Sequence, residues 1–95
     1  MVRFGRTDAN QKVIVAWLRD IPGVSVHVLS DAGDGFPDLV IGWKGVNYLV
    51  ELKDGAKCKS KQALTPDQVE WHLHWNGQKA VCNCLTDILE LLEII

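Results

Sequence analysis

Apolar positions change their spacing along this chain, and each change of period marks an element. Ile14, Trp17, Leu18 and Ile21 recur at helical intervals. Thr7 or Asp8 can cap that helix, which then runs to about Asp20, and Pro22-Gly23 stops it. From Val24 to Leu29 apolar residues alternate with Ser25 and His27, the period of a first strand. Asp31 to Pro37 reads as a glycine-bearing loop. Leu39 to Trp43 and Val46 to Leu52 read as the strands of a hairpin turning at Lys44-Gly45. Both of its faces carry apolar residues: Val40 and Leu49 on one, Leu39, Ile41, Tyr48 and Val50 on the other. Strands of that kind sit centrally in a sheet covered on both sides.

Asp54 to Ala63 is a polar, basic loop. A second helix then opens with strong signals. Thr65 fits the N-cap, Pro66 the first helical position, and Gln68 the reciprocal partner of a capping box, with Leu64 and Val69 as a hydrophobic staple. It reaches about Trp75 and ends at Asn76-Gly77. Lys79 to Leu85 reads as a fourth strand. Thr86 or Asp87 caps a final helix through Ile95, with Ile88, Leu89, Leu91, Leu92 and Ile95 as its buried stripe. The order α-β-β-β-α-β-α predicts an α/β domain. The third strand, the helix after it and the fourth strand form a right-handed crossover within a mixed sheet flanked by helices.

The chain has 95 residues, the size of one domain with one core, so residues 1–95 are read as a single domain. No apolar run reaches the length that spans a bilayer, so no membrane partner is expected. The start has no apolar signal core, and the expected location is the cytoplasm. Three cysteines, Cys58, Cys82 and Cys84, are an odd number and favour reduced thiols. The net charge of −2 does not announce a nucleic-acid binder. Placement tells more: Lys53, Lys57, Lys59 and Lys61 are opposed over that stretch only by Asp54. Such a basic strip is compatible with a phosphate backbone, though taken alone it is better read as a solvated lysine-rich loop.

The chemistry lies in Pro37-Asp38 and Glu51-Leu52-Lys53. If Lys44-Gly45 is a two-residue hairpin turn, Trp43 faces Val46 and the pairing runs back to Asp38 opposite Glu51. Directly paired residues share a face, with Cβ atoms roughly 4.5–5.5 Å apart. Alternation puts Lys53 on that face as well. Two acids side by side in an apolar hairpin repel each other unless a cation bridges them. Two carboxylates suit Mg²⁺ or Mn²⁺, with the Leu52 carbonyl as a further ligand. An ion held there activates water and polarises a phosphoryl oxygen, and Lys53 can orient that water or neutralise developing charge. Alone, Asp38 is better read as a strand start after proline, and Glu51 and Lys53 as a solvent-facing strand edge; the register is what makes them a site.

Pro37-Asp38, Glu51-Leu52-Lys53 and a helical Gln68 resemble the PD-(D/E)XK nuclease superfamily, whose restriction-endonuclease-like core is αβββαβ. More narrowly, Gly35-Phe36-Pro37-Asp38-Leu39-Val40, Glu51-Leu52-Lys53-Asp54-Gly55 and Leu64-Thr65-Pro66-Asp67-Gln68 resemble the VRR-NUC branch, which includes small stand-alone phage and prophage proteins. The similarity extends from Arg6 to about Leu92. The resemblance implies a metal-dependent DNA endonuclease, with four-way junctions or other branched DNA as substrate. It implies metal ligation by Asp38 and Glu51 assisted by Leu52, a catalytic Lys53 and a supporting Gln68. It also implies a homodimer, because cutting both strands needs two sites. Where many members of the superfamily carry a first-helix glutamate, this chain has Asn10 and Gln11. Lys57, Lys59 and Lys61 are the expected DNA contacts.

Other readings compete. The nuclease fold can persist as a non-catalytic DNA-binding or assembly module, although such a module has no need of paired acids. Capping alone accounts for Gln68 as well as an active-site role does. Cys82, Cys84 and the histidines lack the spacing of a structural zinc site, and buried thiols explain the cysteines better. The loop from Asp31 to Gly35 lacks the Walker lysine and the dinucleotide fingerprint, so no nucleotide cofactor is expected. Its glycines lead towards Asp38 and suit close approach of a DNA backbone. Trp71 and Trp75, four apart, share a helix face and are better read as core or interface residues than as a platform for stacking against a base.

Overall fold

The computed structural model describes the backbone of residues 3–29, 31–53 and 64–95, and the side chains of 11–29, 31–53 and 64–95. The elements are α1 (Arg3–Arg19), β1 (Ser25–Val28), β2 (Leu39–Trp43), β3 (Val46–Leu52), α2 (Pro66–His74), β4 (Lys79–Cys82) and α3 (Leu85–Leu91). The strands form one sheet in the order β1-β2-β3-β4. The first two pairings are antiparallel and β3–β4 is parallel, with α2 in the crossover. The αβββαβ order and the mixed sheet are those expected from the sequence.

The β2–β3 turn sets the register. Lys44 and Gly45 have φ of 53° and 82°, the left-handed pair that a two-residue turn of matching twist requires. Trp43 therefore faces Val46, and the pairing continues to Leu39 opposite Val50. One step further places Asp38 opposite Glu51.

The sheet has two unequal faces. Leu39, Ile41 and Val50 are fully buried, and with Leu52 they pack against Ile14, Val15 and Leu18 of α1 and Ile88 and Leu92 near the C-terminus. The Trp43 indole donates to the Leu92 carbonyl at 3.1 Å and ties α3 to the hairpin. On the other face Val40 and Leu49 are half-buried, and Ser25, His27 and Asn47 are exposed. Helix α2 meets this second face and has no buried residue.

Several boundaries and faces depart from the sequence reading. Helix α1 begins at Arg3 and runs through Thr7 and Asp8, since no proline interrupts the chain before Pro22. Its buried stripe is Gln11, Ile14, Val15 and Leu18, whereas Trp17 is 61 % exposed. At roughly 100° per residue, Trp17 lies about 110° from the centre of that stripe. Strand β4 ends at Cys82 because the Asn83 N–H turns away to the Asp87 carboxylate at 2.9 Å. Cys84 is then the N-cap of α3 and not a strand residue. The helix ends at Leu91, Glu93 takes φ of 62°, and Ile95 is exposed instead of completing the buried stripe.

The cysteines also differ from expectation. Cys82 is a buried free thiol, which burial and then the charge of Asp87 push up to about 12. Cys84 is disulfide-bonded, and Cys58 lies outside the described residues. An odd count of cysteines excludes a complete framework but leaves room for one bridge. No helix among the described residues is long and apolar enough to cross a membrane.

Candidate active site

Asp38 sits at the mouth of β2, after the buried Pro37. Its backbone is fixed from one side, where its carbonyl accepts the Leu29 N–H at 2.6 Å. Its side chain is fixed from the other, where Oδ2 accepts the Leu52 N–H at 2.9 Å. That bond joins the acid to β3 where main-chain pairing with β2 has ended. In an extended strand the N–H and C=O of one residue point to the same side. The Leu52 carbonyl therefore faces the Asp38 side of β3, while the next N–H, of Lys53, goes to the Cys82 carbonyl at 3.0 Å.

Glu51 is the anomaly of the sheet: a carboxylic acid only 3 % exposed. Oε2 accepts from Gln68 Nε2 at 2.7 Å. Oε1 is buried and makes no hydrogen bond. Burial first, and then the neighbouring Asp38 charge, raise the pKa of Glu51 from an ordinary 4.5 to about 8 against the opposing pull of Lys53. A proton on Glu51 also lets the two acids hydrogen-bond each other, a further cause of the rise.

Lys53 and Gln68 complete the cluster. The Lys53 ammonium donates to Gln68 Oε1 at 3.0 Å. The same oxygen accepts the Thr65 N–H at 2.9 Å, while Thr65 Oγ1 accepts the Gln68 N–H at 3.3 Å. Both halves of the capping box are thus present at the start of α2. Gln68 therefore caps its helix and bridges Glu51 and Lys53 with the same side chain.

The loop before Asp38 docks onto α2, which the sequence did not reveal. Gly35 has φ of 80°, and a Cβ there would lie 2.6 Å from the Asp67 carbonyl carbon and 3.0 Å from the Gln68 nitrogen. The close approach expected at these glycines is therefore made by the α2 backbone at Gly35. At Gly33 nothing lies within 4 Å of a built Cβ. Phe36 sets its ring edge-on to Trp71 and Trp75, with centroids 5.2 and 6.1 Å away, and the two indoles stack at 4.9 Å. A glycine beside an aromatic residue just before the acid was the only signal.

The structure brings Asp38, Glu51, Lys53 and Gln68 together. Gln11 lies in the buried stripe of α1. The Asn10 side chain, Lys57, Lys59 and Lys61 lie outside the described residues. Among the described residues, no cluster of three or more His, Cys, Asp or Glu side chains could hold a metal. The acids offer a pair, supplemented by a carbonyl. That set suits a hard ion that keeps much of its water, not a zinc cage. The unpartnered Oε1 of Glu51 is the atom a cation would satisfy.

No family model matches the chain, and no curated protein sequence does. A solved structure described as a VRR_NUC domain superposes with a TM-score of 0.67 at 24 % identity, covering 93 % of this chain and 95 % of that one. Helix α1, the antiparallel β1–β2–β3 meander, the α2 crossover to a parallel β4 and the closing α3 thus make up the VRR-NUC domain fold.

Proposed function

We propose that this chain is a nuclease of the VRR-NUC type, a Mg²⁺- or Mn²⁺-dependent endonuclease that hydrolyses DNA phosphodiester bonds. Glu51 is the observation that carries the reading. A carboxylate buried beside a second one, with one oxygen unpartnered, is unfavourable by several kcal/mol in order of magnitude unless a proton or a cation compensates it. Asp38 and Glu51 would hold the ion, with the Leu52 carbonyl as third ligand. When bound, the ion supplies a polarised phosphoryl oxygen and a more acidic water.

The chain's own groups do the rest. Lys53, held by Gln68 on the face of the two acids, neutralises charge developing on the phosphate or orients the attacking water. Gln68 keeps Lys53 and Glu51 at fixed separation. Lys57, Lys59 and Lys61 steer the DNA backbone. Branched DNA such as a four-way junction is the proposed substrate, cut by a homodimer in the cytoplasm of a bacterial or phage-infected cell. The exposed Val69 and Leu73 of α2 and the exposed Ile95 give a second copy an apolar surface.

Labelled linear and four-way-junction DNA, incubated with Mg²⁺, Mn²⁺ or EDTA beside a Lys53→Ala variant, test the reading. Cleavage should need the metal and fall by about 10²-fold or more in the variant. DNA binding without cleavage, for every metal and substrate, would instead identify a non-catalytic binding or assembly module.

A further inference from the structure

Gln68 reaches Glu51 and Lys53 with one amide, so something must fix which way that amide points. Its Oε1 has two lone pairs, and both are used, by the Thr65 N–H and by the Lys53 ammonium. Turning the amide over would set its NH₂ against these two donors and its oxygen against the Glu51 carboxylate. The Thr65 N–H thus helps to select the only orientation that serves both charged residues. Thr65 itself is aimed by its backbone, at φ −70° and ψ 163°, and by Oγ1 on the Gln68 N–H.

Little else anchors this turn. Helix α2 spans nine residues and buries none of them completely. A helix of that length is marginal without packing or caps. Gly35 presses on the carbonyl of Asp67 and Phe36 on the indoles further along, and both contacts hold the helix without setting the Gln68 side chain. We propose that Thr65 is a positioning residue: through Gln68 its cap sets where the Lys53 ammonium stands. Misplacement of such a group by about 1 Å can lower a rate by up to 10²-fold. The kinetic consequence rests on the nuclease reading above; the placement of Lys53 does not.

Two measurements on wild type, Thr65→Ala, Thr65→Gly, Thr65→Ser and Gln68→Ala test this. One is kcat and KM for DNA cleavage. The other is the ¹H–¹⁵N signal of the Lys53 ammonium in the metal-free, DNA-free protein. Thr65→Gly guards against unfolding, because glycine at an N-cap costs only a few tenths of a kcal/mol where alanine costs about 1. We expect Thr65→Ala and Thr65→Gly to lower kcat about 5- to 20-fold with KM within about twofold. The Lys53 signal should be lost in both, as in Gln68→Ala, and serine should restore rate and signal. Full kcat with an intact signal in Thr65→Ala and Thr65→Gly overturns the proposal, and so does a kcat loss with the signal unchanged. If wild type cuts no DNA, the nuclease reading falls, and the ammonium signal alone decides the role of Thr65.

Discussion

The two faces of the β2–β3 hairpin are built from the same strands and do opposite work. On one, Leu39, Ile41 and Val50 are sealed in an apolar cluster with residues of α1 and α3. On the other, the next residue in each direction is an acid, and Glu51 is buried almost as deeply as its neighbour Val50. The first face gains stability from burial. The second opposes it, because a carboxylate out of water is unfavourable until a proton or a cation reaches it. The hairpin can keep the acids so close because the core face fixes its register from behind.

Truncation on the core face should have the largest effect. Ile41→Ala removes a fully buried side chain at the centre of the core, and should lower the unfolding free energy by about 2–5 kcal/mol. Val40→Ala, one residue away on the half-buried face, should stay at the low end of that range or below it. Urea unfolding of the two variants measures the contrast directly. Equal losses would mean that the faces are not energetically distinct.

Glu51→Gln should have the opposite sign and a pH dependence. The folded protein holds the Glu51 proton up to about pH 8, whereas the unfolded chain releases it near 4.5. Between these values the folded state binds more protons, so its stability relative to Glu51→Gln falls as pH rises. At pH 4.5 the two proteins should be close. Near pH 8 to 9 and without metal, glutamine should be the more stable by about 1–3 kcal/mol, the size of a buried unsatisfied group. Mg²⁺ should raise the wild-type midpoint most at the alkaline end, where Glu51 is charged, and should leave the variant almost unmoved. A pH-independent difference would show that Glu51 is not strained in the fold.

The comparison also separates what the sequence disclosed from what it hid. The register was legible because Lys44-Gly45 is a turn of defined length, and counting outward from it leads to Asp38 opposite Glu51. The start of α2 was legible because Thr65-Pro66-Asp67-Gln68 combines three capping signals in one string. The β4–α3 junction was not. Asp87 looks like a cap for its own helix, but its carboxylate reaches back to the Asn83 N–H and ends the strand early. Nor was the docking of Gly35 and Phe36 onto α2, a contact between segments distant in sequence that leaves no period behind. In α1 the spacing showed a helix but not the centre of its buried side.

That last point gives the smallest expected effect and the sharpest check on the core face. Trp17 fits the helical period as well as Ile14 does, and a reading from spacing alone makes it a core residue. Were it one, its removal would cost about 3–5 kcal/mol. The structure turns it 61 % to solvent, with Val15 sealed in the core instead. A surface substitution away from special features changes stability by about 0.5 kcal/mol or less. Trp17→Lys should therefore leave the urea midpoint of the monomer nearly unchanged, while Val15→Lys, which places a charge among Ile14, Leu18 and the sheet, should unfold the chain. The pair reports where the centre of the α1 stripe lies, because the two side chains stand on opposite flanks of Ile14. A large loss at position 17 under conditions where the protein is a single copy would move the core face by one residue around α1.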